Sequence, residues 1–149
     1  MQTALSIQPV TEKDHHAWLA LWLGYQHFYQ TDISTETTDL TWQRFFEPSE
    51  PMFAAIAWQD GVAVGLVHFI AHRSTWTQGP YLYLQDLFVA ARARGQGIGR
   101  ALITHVYAEA EKLNASRVYW LTHETNQQAI ALYEQVAERS GFIQFRQML

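Results

Sequence analysis

The chain contains no cysteine. Disulfide bonds, thiolate metal sites and a cysteine nucleophile are therefore excluded. The sequence also has no hydrophobic run long enough to cross a membrane, and its first residues lack the basic-then-apolar pattern of a signal peptide. We therefore expect a cytoplasmic protein that does not act at a membrane.

Basic residues are few, with 10 Lys and Arg against 14 Asp and Glu and a net charge of −4. This balance argues against a nucleic-acid partner. Hydrophobic residues make up 48% of the chain and aromatic residues 14%, which is enough for a real core. No repeat, linker or low-complexity tract divides the sequence, so we expect residues 1–149 to form a single domain.

Charge is unevenly distributed along the chain. Acidic residues are concentrated between residues 31 and 60, whereas Arg92, Arg94 and Arg100 cluster further on. The acidic residues are Asp32, Glu36, Asp39, Glu47, Glu50 and Asp60. The first region would attract a cation and the second an anion, although a solvated face is the alternative for the acidic one.

The arginine cluster surrounds a glycine-rich loop that reads RGQGIGR over residues 94–100. The loop follows a strand-like run, Tyr81 to Val89, and precedes a strongly periodic helix. Its glycines allow a tight turn with N–H groups pointing at a ligand, and the helix N-terminus adds unsatisfied donors and a positive dipole end. The pattern predicts a phosphate or pyrophosphate site, with the arginines at its two ends as charged donors.

Two familiar phosphate motifs do not fit this loop. A P-loop requires a lysine and a hydroxyl that are missing, and in a dinucleotide fingerprint the third glycine would come one residue later. A glycine-rich turn without a ligand remains the alternative.

Hydrophobic periodicity predicts the element order β-α-α-β-β-β-α-β-α-β, an α/β sandwich with a mixed sheet. Asp60-Gly61 is a hairpin signal, and Thr11 with Asp14 resembles a capping box. The predicted strands cover residues 4–9, 52–58, 62–72, 81–89, 117–121 and 142–148. The predicted helices contain Trp18 to Tyr25, residues 39–46, Leu102 to Leu113 and residues 127–139.

Arg94, Gly97 and Gly99 match Arg/Gln-x-x-Gly-x-Gly/Ala, the pyrophosphate loop of the GNAT N-acetyltransferases. Residues 83–89 and 120–134 also resemble that family's central strand and its next strand and helix. The likeness is greatest to the spermidine/spermine (diamine) acetyltransferase branch. It implies a GNAT-type mixed, mostly antiparallel sheet flanked by helices on both faces, acetyl-CoA as co-substrate, a small-molecule amine as acceptor and a homodimer.

The resemblance also implies which residues bind the cofactor. Main-chain groups of the central strand would pair with the pantetheine arm, loop amides would hold the pyrophosphate, and an asparagine before the last helix would bind the cofactor. These residues are Leu87, Phe88, Val89, Arg94, Gly95, Gln96, Gly97, Ile98, Gly99, Arg100 and Asn126.

Tyr133 is the candidate general acid. It lies seven residues after Asn126, about two helical turns along the same face. A phenol with a pKa of about 10 can protonate a departing thiolate whose thiol has a pKa of about 8.5. A core aromatic with a satisfied hydroxyl is the alternative.

The sequence offers several candidates for the general base. Gln85 stands where the polyamine enzymes have a glutamate, and a glutamine cannot accept the proton of an alkylammonium. Asp86 is the first candidate, ahead of Glu124, His123 or a water, and a structural carboxylate is its alternative. Tyr25, Gln85 and Glu124 are candidates for binding the acceptor.

Metal binding is not expected from the 7 histidines. His68 and His72 share a strand-like run but lie too far apart to pair easily, and we interpret both as ordinary histidines. The sequence thus predicts an N-acetyltransferase in which an amine attacks acetyl-CoA directly in a ternary complex. A protein lysine or N-terminal amine as acceptor, or a non-catalytic acyl-CoA-binding module, are the alternatives.

Overall fold

The computed structural model describes residues 4–149 as a five-stranded sheet with four α-helices. The strands are β1 (Leu5–Pro9), β2 (Met52–Gln59), β3 (Val62–His72), β4 (Tyr81–Val89) and β5 (Arg117–Tyr119). The helices are α1 (His15–Phe28), α2 (Thr35–Arg44), α3 (Ile98–Lys112) and α4 (Gln127–Val136). Strands β1 to β4 pair antiparallel in chain order, and β5 lies parallel to β4. The predicted mixed, mostly antiparallel sheet is confirmed.

Local signals explain how several elements begin. Asp60 and Gly61 both have positive φ angles, 51° and 80°, as a two-residue type I′ hairpin requires. The Thr11 N–H donates to Asp14 Oδ2 over 2.8 Å and starts a single 3-10 turn ahead of α1. Helix α2 begins earlier than predicted because the Ser34 hydroxyl caps it, accepting from the Thr37 N–H.

The sheet carries helices on both faces. On one face α3 buries its apolar stripe, including Ile98, Leu102 and Val106, against β3 and β4. On the other, Trp18 and Trp22 of α1 pack with apolar residues of β2 and β3. Each such side chain contributes about 1.5–3 kcal/mol when fully buried. Within the described part of the chain, no helix is both long and apolar enough to cross a bilayer.

A β-bulge in β4 decides which side chains face which helix. His68 is paired with Asp86, but Phe69 is paired with Leu84, so Gln85 is the extra residue. Before the bulge Leu84 packs in the α3 core, and after it Leu87 does so as well. The bulge therefore resets the alternation of β4 and turns Asp86 toward the α1 face.

Strands β4 and β5 pair over only part of their length. Their register runs from Tyr81 opposite Arg117 to Tyr83 opposite Tyr119 and then ends. β5 is accordingly shorter than the predicted 117–121. The remainder of β4, as far as Val89, has no strand beside it on this side, which leaves main-chain groups free for another partner.

The predicted last strand, residues 142–148, does not form, and this part of the predicted order is wrong. Helix α4 ends at Val136, before the predicted 139, because Ala137 is extended, with φ −152° and ψ −174°. The following residues pair with no strand of residues 4–149, and Phe142 and Phe145 are 84% and 88% exposed. A strand requires a neighbour for its main-chain groups, and this segment has none here.

We predict that Gly65→Ala destabilises the protein by about 1–3 kcal/mol, because a Cβ there would lie 3.0 Å from the Phe88 carbonyl oxygen and 3.2 Å from Leu102. The measurement is urea unfolding of the ligand-free protein. Gly99→Ala is the control, since its Cβ would meet only ordinary contacts at 3.6 Å or beyond. Equal loss in both variants would contradict the close approach of β4 and α3 at Gly65.

Candidate active site

The glycine-rich loop lies between the end of β4 and the start of α3. A 3-10 turn, Ala91–Ala93, leads to Arg94 in an extended conformation, and α3 begins directly after Gly97. Gly95 and Gly97 have φ angles of 79° and 78°, which favour glycine. A Cβ at either position would meet nothing within 4 Å, so the loop surface is open.

The amides of this loop are free to bind a ligand. Among residues 4–149, no acceptor pairs with the main-chain N–H groups from Gly95 to Arg100. The first helical bond runs from the Ala101 N–H to the Gly97 carbonyl, over 3.0 Å. Consecutive free donors at the positive end of a 15-residue helix form an anion site, and this chemistry fits the predicted pyrophosphate.

The two arginines of the loop are engaged with the protein. Arg94 Nε donates to the Val89 carbonyl over 3.1 Å, and its guanidinium lies 4.9 Å from the centroid of the Phe28 ring. Arg100 donates to the Gln135 side chain and so connects α3 to α4. One of the β4 carbonyls predicted to pair with pantetheine thus has a partner within the chain.

Two of the predicted residues belong to α4 and to the position just before it. Asn126 is the half-buried residue just before α4, and Tyr133 packs edge-on against Trp120 with ring centroids 5.4 Å apart. Burial raises the pKa of Tyr133 above its ordinary value, and Tyr29 nearby raises it further. The Tyr133 hydroxyl is therefore protonated at neutral pH, as a proton donor must be.

Asp86 is buried and belongs to a chain of hydrogen bonds that begins on α1. Trp18 Nε1 donates to His68 Nε2 over 2.9 Å, and His68 Nδ1 lies 2.9 Å from Asp86 Oδ2. All three side chains are less than a tenth exposed. An indole N–H can only donate, so His68 Nε2 must accept and the ring proton must be on Nδ1. His68 is therefore neutral and donates to Asp86.

Tyr25 lies close to this carboxylate. Burial raises the pKa of Tyr25, and the charge of Asp86 raises it further. The Tyr25 ring stacks on Trp22 and contacts Tyr29 at 4.7 Å between centroids. Tyr29 also raises the pKa of Tyr133. The tyrosines at the end of α1 therefore lie near both Asp86 and Tyr133.

The other predicted candidates lie away from this cluster. Gln85 is exposed in the bulge, and Glu124 is exposed in the turn before α4. His123 is exposed too and its Nδ1 lies 2.7 Å from the Thr125 hydroxyl. No group of three or more His, Cys, Asp or Glu side chains within residues 4–149 could hold a metal ion.

Sequence reasoning missed His68 and Trp18. The sequence indicates only an ordinary histidine at His68 and only a helical position for Trp18. Their contact with Asp86 depends on the Gln85 bulge, which sets the register of β3 and β4. The available signal was a histidine in the middle of an otherwise apolar strand, where a buried polar group requires a partner.

Known proteins resemble this chain over most of its length. The model of the acetyltransferase (GNAT) family matches residues 15–137. A D-amino-acid N-acetyltransferase of Saccharomyces cerevisiae is 34% identical over 142 residues, which cover 94% of this chain and 88% of the relative. A mouse (Mus musculus) thialysine N-epsilon-acetyltransferase is 36% identical over 90 residues, 57% of this chain and 51% of the relative.

Solved structures share the fold. An aminoglycoside N-acetyltransferase in complex with CoA superimposes with a TM-score of 0.84 at 15% identity, covering 99% of this chain and 97% of the other. With the family match, these likenesses agree with the open amide loop and the parted strands described above. The chain belongs to the acetyltransferase (GNAT) family and is an acetyl-CoA-dependent N-acetyltransferase.

Proposed function

We propose that this enzyme transfers the acetyl group of acetyl-CoA to the primary amine of a small cationic acceptor by direct attack in a ternary complex. The observation that supports the proposal is that two free main-chain surfaces, one on the loop and one on β4, are continuous. The free amides of residues 95–100 begin where β4 ends, and β4 has no strand beside it from Leu84 to Val89, although the Val89 carbonyl already accepts from Arg94. One extended molecule with an anionic end and an amide-rich arm matches both surfaces.

Acetyl-CoA supplies the thioester carbon that the amine attacks. Loop amides would hold its pyrophosphate, main-chain groups of Leu87 to Val89 would pair with its pantetheine arm, and Asn126 would bind it from α4. A main-chain N–H near the end of β4 would stabilise the oxyanion that forms on attack. A carbon–nitrogen bond forms, the carbon–sulfur bond breaks, and a proton must reach the sulfur.

Tyr133 is the proposed source of that proton. Its raised pKa keeps the hydroxyl protonated through neutral and mildly alkaline pH. Its half-buried position against Trp120 limits its motion. Both properties are compatible with a general acid, and the role itself is taken from the family resemblance.

Asp86 is the proposed acceptor of the amine proton. An alkylammonium has a pKa of about 10 and must be deprotonated before it attacks. His68 binds only Oδ2 of Asp86, and neither Glu124 nor His123 is held in a comparable way. Buried beside Tyr25 and Tyr83, Asp86 offers the one carboxylate within residues 4–149 that is buried on the α1 face of β4.

Several observations favour a small acceptor. The relatives act, by name, on D-amino acids and thialysine, all of which carry free amines. The Arabidopsis thaliana relative, 31% identical over 60% of this chain and 40% of its own length, is an L-ornithine N5-acetyltransferase. The acidic residues 31–60 would attract such cations. Membership of the spermidine/spermine branch, a homodimer and a cytoplasmic location remain predictions.

The acceptor is tested by measuring thiol release from acetyl-CoA with an amine panel. The panel contains spermidine, simple diamines, ornithine, thialysine, D- and L-amino acids and a basic peptide. We expect the highest kcat/KM with a small amine. Preference for the peptide would contradict the proposed acceptor class, and thiol release no faster than hydrolysis with every amine would contradict the proposed transfer.

Tyr133→Phe should lower kcat by about 10²–10⁴-fold and leave the Kd of CoA nearly unchanged, because it removes only the donated proton. In the unchanged enzyme, the raised pKa of Tyr133 means that loss of its proton reduces kcat only above about pH 10. Tyr107→Phe is the matched control, since that hydroxyl donates to the Val136 carbonyl over 2.7 Å and should affect stability alone. A kcat loss of the same size in both variants would show Tyr133 to be structural.

Gly97→Val should abolish CoA binding measured by calorimetry, because a side chain would fill the open loop and strain its left-handed backbone. Gly61→Val imposes the same backbone strain, at φ 80°, in the β2–β3 hairpin and should leave CoA binding intact. Undiminished binding by the Gly97 variant would refute the pyrophosphate site.

Trp18→Phe should lower kcat/KM roughly fivefold, the rate equivalent of one lost hydrogen bond of about 1 kcal/mol. Without the Trp18 N–H, His68 Nε2 loses the donor that fixes its tautomer, so its Nδ1 proton is no longer held toward Asp86. Trp22→Phe is the matched control, because the Trp22 Nε1 has no hydrogen-bond partner among the described residues. An unchanged kcat/KM in the Trp18 variant would mean that the hydrogen-bond chain does not serve Asp86.

A further inference from the structure

An aromatic surface lies on the α1 face of the sheet, where β3 ends and β4 and β5 begin. We call it the tyrosine surface, and its members are His72, Tyr81, Tyr83, Arg117 and Tyr119. The register places them together, because Tyr81 is paired with His72 on one side and with Arg117 on the other. Residues paired across strands share a face of the sheet. The alternate positions Leu82 and Val118 belong to the α3 core on the other face.

The side chains of the tyrosine surface hold one another in place. The rings of Tyr83 and Tyr119 stack with centroids 5.0 Å apart, and the Tyr119 hydroxyl lies 2.7 Å from His72 Nε2. In the described part of the chain, the three tyrosine rings pair with one another and with His72 but with no aromatic side chain of a helix. All three tyrosines are half-buried, so their rings present an ordered apolar surface to solvent.

Arg117 provides the positive end of this surface. Its guanidinium lies 4.2 Å from the centroid of the Tyr81 ring. Among residues 4–149, no carboxylate lies within ion-pair distance of Arg117, and its side chain is exposed. A guanidinium that stacks on a ring keeps the N–H groups at its edge available, and their fork geometry matches a carboxylate.

Asp86 provides a negative end on the same face of the sheet. Burial raises the pKa of Tyr83, and Tyr119 and Asp86 nearby raise it further, so Tyr83 connects the tyrosine surface to Asp86. The residues of β3 that pair with Tyr81 and Asp86 are four positions apart, which corresponds to about 13 Å along the strand. A carboxylate and a guanidinium are thus separated by an aromatic wall of known length.

We propose that the acceptor is an amino acid whose reacting amine lies at the end of its side chain, and that Arg117 binds its α-carboxylate. This inference rests on the proposed function, because it takes Asp86 as the group that receives the amine proton. The side-chain ammonium would lie at Asp86, the methylene groups would cover the rings of Tyr83 and Tyr119, and the carboxylate would meet the Arg117 fork. Each part of the molecule then contacts a group of matching chemistry.

The separation of the two charged groups determines which amino acids fit. With bond lengths of about 1.5 Å, the side-chain amine and the carboxylate of an extended ornithine or thialysine are roughly 7 Å apart. A charge-assisted hydrogen bond of about 2.8 Å at each end extends this reach to nearly the length of the strand segment. An α-amino group is too close to its own carboxylate to reach Asp86 while Arg117 binds the other end.

Arg117 also disfavours diamines and polyamines. Such molecules place a second ammonium where the amino acid has its carboxylate, and the guanidinium repels that charge. Specificity then has an attractive part and a repulsive part that come from the same side chain.

The first test compares two acceptors that differ in the carboxylate alone, since 1,4-diaminobutane is ornithine without it. We expect kcat/KM for L-ornithine to exceed that for 1,4-diaminobutane by about 10- to 100-fold, the effect of one charge-assisted bidentate contact. A diamine that is acetylated as efficiently as ornithine would overturn the proposal.

Arg117→Gln should lower kcat/KM for L-ornithine by the same factor and leave that for 1,4-diaminobutane unchanged or higher. Arg117→Lys should restore only part of the loss, because an ammonium keeps the charge without the fork. Lys112→Gln is the control, since it removes one positive charge from α3, on the opposite face of the sheet, and should affect neither acceptor. Equal loss with both acceptors in Arg117→Gln would show that Arg117 serves the fold alone.

A binding measurement distinguishes failure of this inference from failure of the proposed function. The Kd of L-ornithine is measured by calorimetry with protein saturated with CoA, so that no transfer takes place. We expect Arg117→Gln to raise this Kd by about 10- to 100-fold. Equal Kd values, or no binding by the unchanged protein, would overturn the carboxylate site. Binding that depends on Arg117 without acetylation of any amine would support the site and contradict only the proposed transfer.

Discussion

The absence of a neighbouring strand along most of β4, on the β5 side, is the constraint on which the site depends. A central strand normally satisfies its main-chain groups on both sides, and leaving them unpaired in a buried place is costly. In this chain β4 is paired with β5 only as far as Tyr83, and the glycine loop follows directly after Val89. The unpaired edge of β4 and the free amides at the start of α3 therefore form one continuous surface. Only an extended, partly anionic molecule can satisfy this surface along its whole length.

The bulge at Gln85 imposes a second constraint, because it turns the polar side chain of Asp86 into the apolar α1 face of the sheet. Once Asp86 faces α1, its carboxylate must be hydrogen-bonded, because an unpaired buried charge would destabilise the fold. His68 provides the hydrogen bond and Trp18 determines which nitrogen of His68 carries the proton. A partly satisfied network would be worse than an apolar core, so the Trp18–His68–Asp86 chain is fixed as a unit. The contacts that position the proposed base, Asp86, are thus the same contacts that help to pack α1 on the sheet.

Much of the site could be predicted from sequence because its signals are local. The Asp60-Gly61 hairpin, the bounds of β4 and the start of α3 after Gly97 all follow from backbone preferences of a few adjacent residues. The contact of His68 with Asp86 could not be predicted, because it depends on a one-residue shift between strands that no local pattern encodes. The roles of Tyr133 and Asn126 stay predictions that rest on resemblance.

The segment 142–148 shows the same division between local and non-local information. Its side-chain pattern is typical of a strand, yet a strand exists only beside another strand, and the sequence does not say which one. The segment pairs with no strand of residues 4–149, so the predicted strand is missing while its apolar side chains remain exposed.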